Sequence, residues 1–177
     1  MKQFINAGLA SLALAALLAM LPAPAESQVP ESDLILRAKL ISFNQVPSVL
    51  SNARGAFDAR INEDGTIAFA LSYVNMSSPV VQAHIHFGAS KTNGGVIVFL
   101  CGGSKPACPA SGTIGGTITA GDVSVLPSTN GDSVIPQGIN PADLGALITA
   151  IRSGDTYINV HSTTFPSGEI RGQVELE

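Results

Sequence analysis

Hydrophobic residues recur at every second position in several short stretches of the chain, a pattern typical of half-buried β-strands. Leucine and alanine alternate with arginine and lysine over 34–40. The stretches 55–61 and 67–73 alternate in the same way, and the polar turn Asn62–Gly65 between them predicts a β-hairpin. The run Val96–Leu100 is apolar at every position, which predicts a central strand buried on both faces.

Four further stretches have strand character, and a glycine-rich one among them carries the weakest pattern. They are 80–87, 112–119, 156–162 and 169–176. The last two form a second predicted hairpin, in which Ile170, Val174 and Leu176 face the core and Arg171 faces away from it. The proline-containing segment 121–137 predicts a long surface loop.

One helix is predicted between Asn140 and Gly154. Asn140 is a good N-cap, Pro141 suits the first helical position, and Asp143 suits the first turn. Four apolar residues recur at the spacing of one helix face: Leu144, Leu147, Ile148 and Ile151. Gly154 is expected to end the helix in the left-handed conformation.

Short alternating strands, frequent turns and a single short helix define the expected fold class. We predict a mainly β protein, an antiparallel β-sandwich or partly closed Greek-key barrel with one short helix near the C-terminus.

The first 25 residues have the character of a secretory signal peptide. Met1-Lys2 is a positive start, an apolar run extends over 7–21, and Ala23-x-Ala25 fits the rule for cleavage after Ala25. The chain is therefore divided into a signal peptide, 1–25, and a single β domain, 26–177. Cleavage predicts a secreted or periplasmic protein without membrane contact, and an uncleaved N-terminal anchor is the alternative.

Charge narrows the range of partners. Without Lys2, eight basic residues remain against thirteen acidic ones, a net charge of −5 with no basic block. That balance argues against nucleic acid or an anionic membrane as a partner. An unknown extracellular protein or surface ligand is the expected partner.

Cys101 and Cys108 enclose a short segment rich in glycine and proline. In an exported chain, an even pair at this spacing predicts a structural disulfide rather than a redox-active pair.

The three histidines are the candidate functional residues of the chain. Alternation places His84 and His86 on one face of the strand 80–87, together with Gln82. In the strand 156–162, the same rule groups Tyr157, Asn159 and His161 on a polar face. Three imidazoles from two strands can bind one zinc or copper ion and leave a position open.

Four polar residues are candidates to orient those imidazoles: Glu169, Arg171, Asn159 and Gln82. The alternative is a purely structural network, in which the histidines form hydrogen bonds with the same four residues and fix the strand register. Glu169 and Arg171 have an alternative of their own, a solvated or cross-strand ion pair.

Several motifs, in order, carry a resemblance to a known family. They are Arg37-Ala38-Lys39-Leu40, Ala83-His84-Ile85-His86-Phe87-Gly88, Tyr157-Ile158-Asn159-Val160-His161 and Gly168-Glu169-Ile170-Arg171-Gly172-Gln173. The chain resembles the CHRD domain family, named for the repeated domain of chordin, as an exported bacterial single-domain member. Gln45 and Ser48 stand where the family often has a glutamate and a second proline. The resemblance implies an exported β domain and no defined activity.

Three function classes follow. The favoured one is a non-catalytic binding or structural module at the cell surface or outside the cell. The second is a mononuclear copper- or zinc-binding protein, for which redox activity is a further hypothesis. The expected cofactor is therefore either none or one such ion. The third, a hydrolase, lacks any nucleophile motif, and no catalytic residue is assigned.

Overall fold

The computed structural model describes residues 34–124 and 137–177. The predicted signal peptide and most of the predicted loop 121–137 lie outside these residues. The strands are β1 (Ile35–Ile41), β2 (Arg54–Ile61), β3 (Ile67–Val74), β4 (Val80–Phe87), β5 (Gly95–Cys101), β6 (Gly112–Ile118), β7 (Thr156–Ser162), β8 (Ile170–Gln173) and β9 (Glu175–Leu176). The helix α1 covers Leu144–Arg152, and 3₁₀ turns lie at Ser42–Asn44 and Ala120–Asp122.

All strand pairs are antiparallel, and the strands form one sheet that curves into a nearly closed barrel. The strand order is β5-β4-β7-β8-β1-β2-β3-β6, and β9 pairs with the free part of β1. The predicted fold class is therefore confirmed. The order also makes β4 and β7 direct neighbours, although about 70 residues separate them along the chain.

The core fills the inside of this curved sheet. Alternate residues of the strands face this core, and strand β1 shows the alternation most clearly. Its Leu36, Ala38 and Leu40 are buried, while Arg37 and Lys39 are exposed. The predicted hairpin is confirmed as β2 and β3, with aligned pairs from Arg54↔Val74 to Ile61↔Ile67. The apolar residues of β4 and β7 join the same core: Ala83, Ile85, Ile158 and Val160.

Strand β5 is buried at every position, as predicted, but its predicted central place in the sheet is wrong. It ends the strand order and pairs only with β4 among the described strands. Its outer edge is covered by backbone instead of by another strand, since Ser124 N donates to Ile97 O at 3.0 Å. Apolar composition reports burial and does not distinguish an interior strand from a covered edge.

The helix begins three residues later than predicted. Asp143 is the N-cap, and its carboxylate accepts a hydrogen bond from Ala146 N at 2.8 Å. Ala142 has a φ of 60°, which excludes a helix running through from Asn140. The predicted end is confirmed, because Gly154 follows the helix with a φ of 76°.

The final strand is interrupted at Val174: β8 lies between β7 and β1 and pairs with both, whereas β9 pairs with β1 alone. Ile170 and Val174 are buried, but Leu176 is 39% exposed, so its predicted inward direction is wrong. The two-residue strand β9 has too little pairing to hold that side chain against the core. Within the residues that the structure describes, no helix has the length and apolar character needed to cross a membrane.

Candidate metal centre

The three histidines come together on the face of β4 and β7 that points away from the core. His84 and His86 project from β4, and His161 projects from β7 opposite Gln82. The ring centroid of His84 lies 4.5 Å from that of His86 and 4.4 Å from that of His161. One ligand nitrogen from each ring lies within 4.8 Å of the other two. Strand alternation and the β4–β7 pairing together produce this cluster.

Loops cover the cluster. His84, His86 and His161 are only 2%, 8% and 6% exposed, although they face away from the core. The loop 88–94, which connects β4 and β5, passes over the same face of the sheet. A side chain at Gly94 would place a Cβ 1.6 Å from Phe87 O, so only glycine allows this loop to approach β4 so closely.

Backbone carbonyls hold two of the rings. Nδ1 of His86 lies 2.9 Å from Gly94 O, and Nδ1 of His161 lies 2.9 Å from Pro166 O. A carbonyl can only accept, so both Nδ1 atoms carry the proton and the lone pair is on Nε2. This arrangement is the usual way in which proteins direct a histidine Nε2 towards a metal.

Two ring nitrogens of the cluster are buried and form no hydrogen bond with any described residue: His84 Nδ1 and His86 Nε2. A buried nitrogen of this kind destabilises a fold by about 1–3 kcal/mol if nothing binds it. Three points no more than 4.8 Å apart all lie within about 2.8 Å of a common centre. Zinc–nitrogen bonds are about 2.0–2.1 Å long, so a contraction below about 1 Å would close the site around an ion.

The electrostatics keep the His84 and His86 rings neutral, the form that binds metals. Burial lowers the pKa of His86 from 6.5 to about 3, although the hydrogen bond to Gly94 opposes the shift. Burial also lowers the pKa of His84 well below its usual value, and the neighbouring His86 and His161 add to the effect. Protons therefore compete weakly for these nitrogens near neutral pH.

Aromatic rings pack around the cluster. Phe99 meets His84 edge to face at 5.2 Å, and Tyr157 stacks on His86 with the two planes 4° apart. Gly103, in the loop closed by the disulfide, packs against the Phe99 ring, and its added Cβ would lie 2.4 Å from a ring carbon. The predicted disulfide between Cys101 and Cys108 is present and holds this loop in place.

The candidate orienting residues occupy different positions around the cluster. The Glu169 carboxylate is buried and accepts hydrogen bonds from Ser51 Oγ at 2.6 Å and from Ser77 N and Oγ at 3.0 and 2.7 Å. Asn159 is the β7 neighbour of His84, and its Oδ1 accepts from Gln45 Nε2 at 2.5 Å.

Gln82 pairs with His161 and lies beside the disulfide loop, because Gly102 packs against its backbone. Arg171 is 2% exposed, and its guanidinium carbon lies 3.4 Å from the Tyr157 ring centroid. Tyr157 thus lies between Arg171 and the His86 ligand. The ion pair suggested as an alternative role for Glu169 and Arg171 is not formed. The three ion pairs of the described residues include neither of them.

Sequence reasoning missed the two carbonyls and the two aromatic rings of the site. Gly94 and Pro166 act through backbone atoms, and only the adjacent glycines 94 and 95 signalled a close backbone approach. Tyr157 had a signal, since alternation places it on the polar face of its strand. Phe99 had none, because every residue of its strand is apolar.

Comparison with known proteins identifies the family. The sequence profile of the CHRD domain matches residues 36–174. The chain belongs to the CHRD domain family. The matched range contains the three histidines and the disulfide of this CHRD domain. Neither the curated proteins nor the solved structures gave a match to the chain. Membership supports a non-enzymatic module of the extracellular type, and the disulfide is compatible with an extracellular location.

Proposed function

We propose that this CHRD domain is a metal-binding module that holds one copper or zinc ion through His84, His86 and His161. The observation that carries the proposal is the convergence of three buried imidazoles, with ligand nitrogens within 4.8 Å of one another. Imidazole nitrogen suits both copper and zinc, and three such ligands leave one position of a tetrahedral site for a fourth.

A purely structural network is the competing explanation, and the hydrogen bonds favour the metal. In such a network, ring nitrogens would bond to neighbouring side chains. His84 Nδ1 and His86 Nε2 are instead buried without a hydrogen-bond partner among the described residues. Asn159 Oδ1 accepts a hydrogen bond from Gln45, and Glu169 Oε1 accepts hydrogen bonds from Ser51 and Ser77, so these oxygens are not directed at the histidines. Burying nitrogens without partners is costly, and a bound cation removes that cost.

The module is proposed to act after export, at the cell surface or in the surrounding medium. The support is the disulfide, which persists in oxidising compartments, together with the family and the signal-like leader. Because the histidines are nearly inaccessible, we propose that the ion is held tightly and stabilises or tunes a binding module. If the bound ion is copper, the same three histidines would also support redox chemistry.

The test is metal titration of the chelator-treated protein without its leader, with elemental analysis of the product. We expect about one copper or zinc ion per chain. Loss of binding in His84→Ala/His161→Ala is the expected result. Phe99→Leu is the matched control: it disturbs packing against His84 without removing a nitrogen, so it should still bind one ion per chain, with lower affinity.

A second readout keeps the test decisive if the double variant folds poorly. Electron paramagnetic resonance of the Cu(II)-loaded wild type reports directly coordinated nitrogens. Three nitrogen ligands support the proposal. Substoichiometric metal, or full binding by the folded double variant, would show that the histidines form a structural network.

A further inference from the structure

A second polar site lies beside the histidine cluster and shares none of its ligands. A cavity of about 700 Å³ opens between the 43–48 segment, the loop 88–94 and the strands β1 and β8. Its basic lining residues are Lys39, Lys91 and Arg171, and Glu175 is its one acidic lining residue. Pockets of this size hold small molecules.

Arg171 gives the cavity an unbalanced buried charge. Its Nη2 donates to Thr92 O at 2.7 Å and Ala89 O at 3.3 Å, and its Nη1 donates to Asn93 Oδ1 at 3.4 Å. All three acceptors are neutral oxygens. None of the ion pairs within the described ranges 34–124 and 137–177 includes Arg171. A buried guanidinium without a counter-ion is costly, and a bound anion would offset that cost.

The two lysines extend the positive charge to the mouth of the cavity. Lys39 and Lys91 are exposed, and together with Arg171 they outnumber Glu175. Lys91 also has a φ of 61°, a left-handed conformation that is unfavourable for lysine. Backbone strain of this kind is concentrated at sites that hold ligands. The charge of Lys91 and its backbone strain both lie on the loop 88–94, which Arg171 anchors to the sheet.

The other residues that line the cavity are suited to bind a molecule with several hydroxyl groups. Gln45, Ser48 and Gln173 provide amide and hydroxyl groups, and Phe43 is 61% exposed beside them. Amides and hydroxyls form hydrogen bonds with sugar hydroxyls, and an aromatic face packs against the apolar side of a sugar ring.

We propose that this cavity binds a monosaccharide-sized molecule that carries a carboxylate or a phosphate. Lys39 and Lys91 bind the anionic group, the buried charge of Arg171 attracts it from the wall of the cavity, and the polar lining binds the hydroxyls. These cationic side chains attract a carboxylate and a phosphate alike, so the geometry assigns the class of ligand and the set of ligands tested distinguishes the two anions.

The experiment is calorimetric titration of the metal-free, folded protein. The ligands are glucuronate and glucose 6-phosphate, with glucose and inorganic phosphate as the two halves of the proposed ligand. We expect one of the charged sugars to bind at least about tenfold more tightly than either half. Its affinity should fall as salt is raised, because exposed lysines contribute.

Two variants locate the site. Lys39→Gln/Lys91→Asn removes both exposed charges, and asparagine tolerates the left-handed backbone at position 91. We expect this variant to lose about tenfold or more in affinity while binding copper or zinc as the wild type does. Arg60→Gln is the control, because it removes one exposed positive charge that does not line the cavity.

Equal affinity for glucose and the charged sugars would overturn the proposal, as would a double variant that binds as tightly as the wild type. Phosphate alone binding as tightly as glucose 6-phosphate would show a plain anion site and remove the sugar from the proposal. Because the titration uses metal-free protein, its failure is separate from any failure of the three-histidine site.

Discussion

His86 and Tyr157 lie face to face across β4 and β7, with ring centroids 4.5 Å apart and planes 4° apart. Arg171 packs on the same tyrosine, 3.4 Å from its ring centroid. The Tyr157 hydroxyl accepts a hydrogen bond from Gly94 N at 3.2 Å, and Gly94 O holds His86. One tyrosine therefore connects the proposed metal ligand, the loop 88–94 and the buried arginine of the cavity.

The ring of Tyr157 is expected to contribute more to the free energy of unfolding than its hydroxyl does. Tyr157→Phe removes one hydrogen bond and keeps the packing, so unfolding should become easier by about 0.5–1.5 kcal/mol. Tyr157→Leu removes the stack on His86 and the contact with Arg171, so the loss should exceed about 2 kcal/mol. Urea unfolding of the metal-free proteins gives both values. Equal losses in the two variants would show that the ring stack contributes little.

Acid should destabilise the metal-free protein through its histidines. The pKa of His86 is about 3 in the fold and about 6.5 in the unfolded chain, so the unfolded state binds the extra proton between these values. The contribution of His86 is fully present above pH 6.5 and is lost as pH falls towards 3. The loss approaches about 1.4 kcal/mol per pH unit for this one group.

Unfolding free energies at pH 7.5, 5.5 and 4.5 in the presence of a chelator measure this slope. His86→Gln is the matched variant, because it keeps a neutral polar group of similar reach and cannot bind the proton. Its stability should fall less steeply below pH 6.5 than that of the wild type. Parallel curves for the two proteins would contradict the assignment of the slope to His86.

Glu169 adds to the acid sensitivity at lower pH. Burial by itself raises the pKa of its carboxyl, but hydrogen bonds from Ser162, Ser51 and Ser77 outweigh burial and leave the pKa below its usual value. A lowered carboxyl pKa stabilises the fold above the unfolded value and is lost as pH falls through the folded value. The His86→Gln protein should therefore keep a residual acid transition.

Period-two alternation was sufficient to place the histidines on the outward faces of their strands, and both strands were recognised. It was not sufficient to show that β4 and β7 are neighbours. That pairing joins residues about 70 positions apart and depends on the order of the whole sheet. The pattern of strands and turns predicted the fold class, the resemblance to CHRD domains implied the same kind of β domain, and both left this contact to the structure.

Burial of Arg171 shows where alternation stops being informative. The residue points away from the core, as predicted, but the loop 88–94 covers it and makes it one of the largest fully buried side chains. The side-chain pattern of a strand does not reveal which loop will fold over its outer face. The carbonyls of Gly94 and Pro166 were invisible for the same reason, since any residue type has a carbonyl.

The disulfide loop should affect metal binding as well as stability. Replacing both cysteines, Cys101→Ser/Cys108→Ser, frees a short loop and should cost about 2 kcal/mol of unfolding free energy. Gly103 then no longer holds Phe99 against His84, so zinc affinity should fall severalfold. Lys105→Gln is the control, because it breaks the Lys105–Asp122 ion pair of the same loop and leaves the disulfide closed. Unchanged zinc affinity in the cysteine variant would exclude this coupling.

Two glycines of the helix region should respond to alanine with opposite signs. Gly145 is exposed inside α1, and an added Cβ would meet only Asp143 Oδ1 at an ordinary 3.6 Å. Gly145→Ala should therefore stabilise the protein by about 0.5–1 kcal/mol, as alanine does in an open helix position. Gly154 has equally open surroundings but a φ of 76°, so Gly154→Ala should destabilise the protein by about 1 kcal/mol. Thermal unfolding of both variants measures the difference, and the same sign in both would show that backbone conformation does not control these positions.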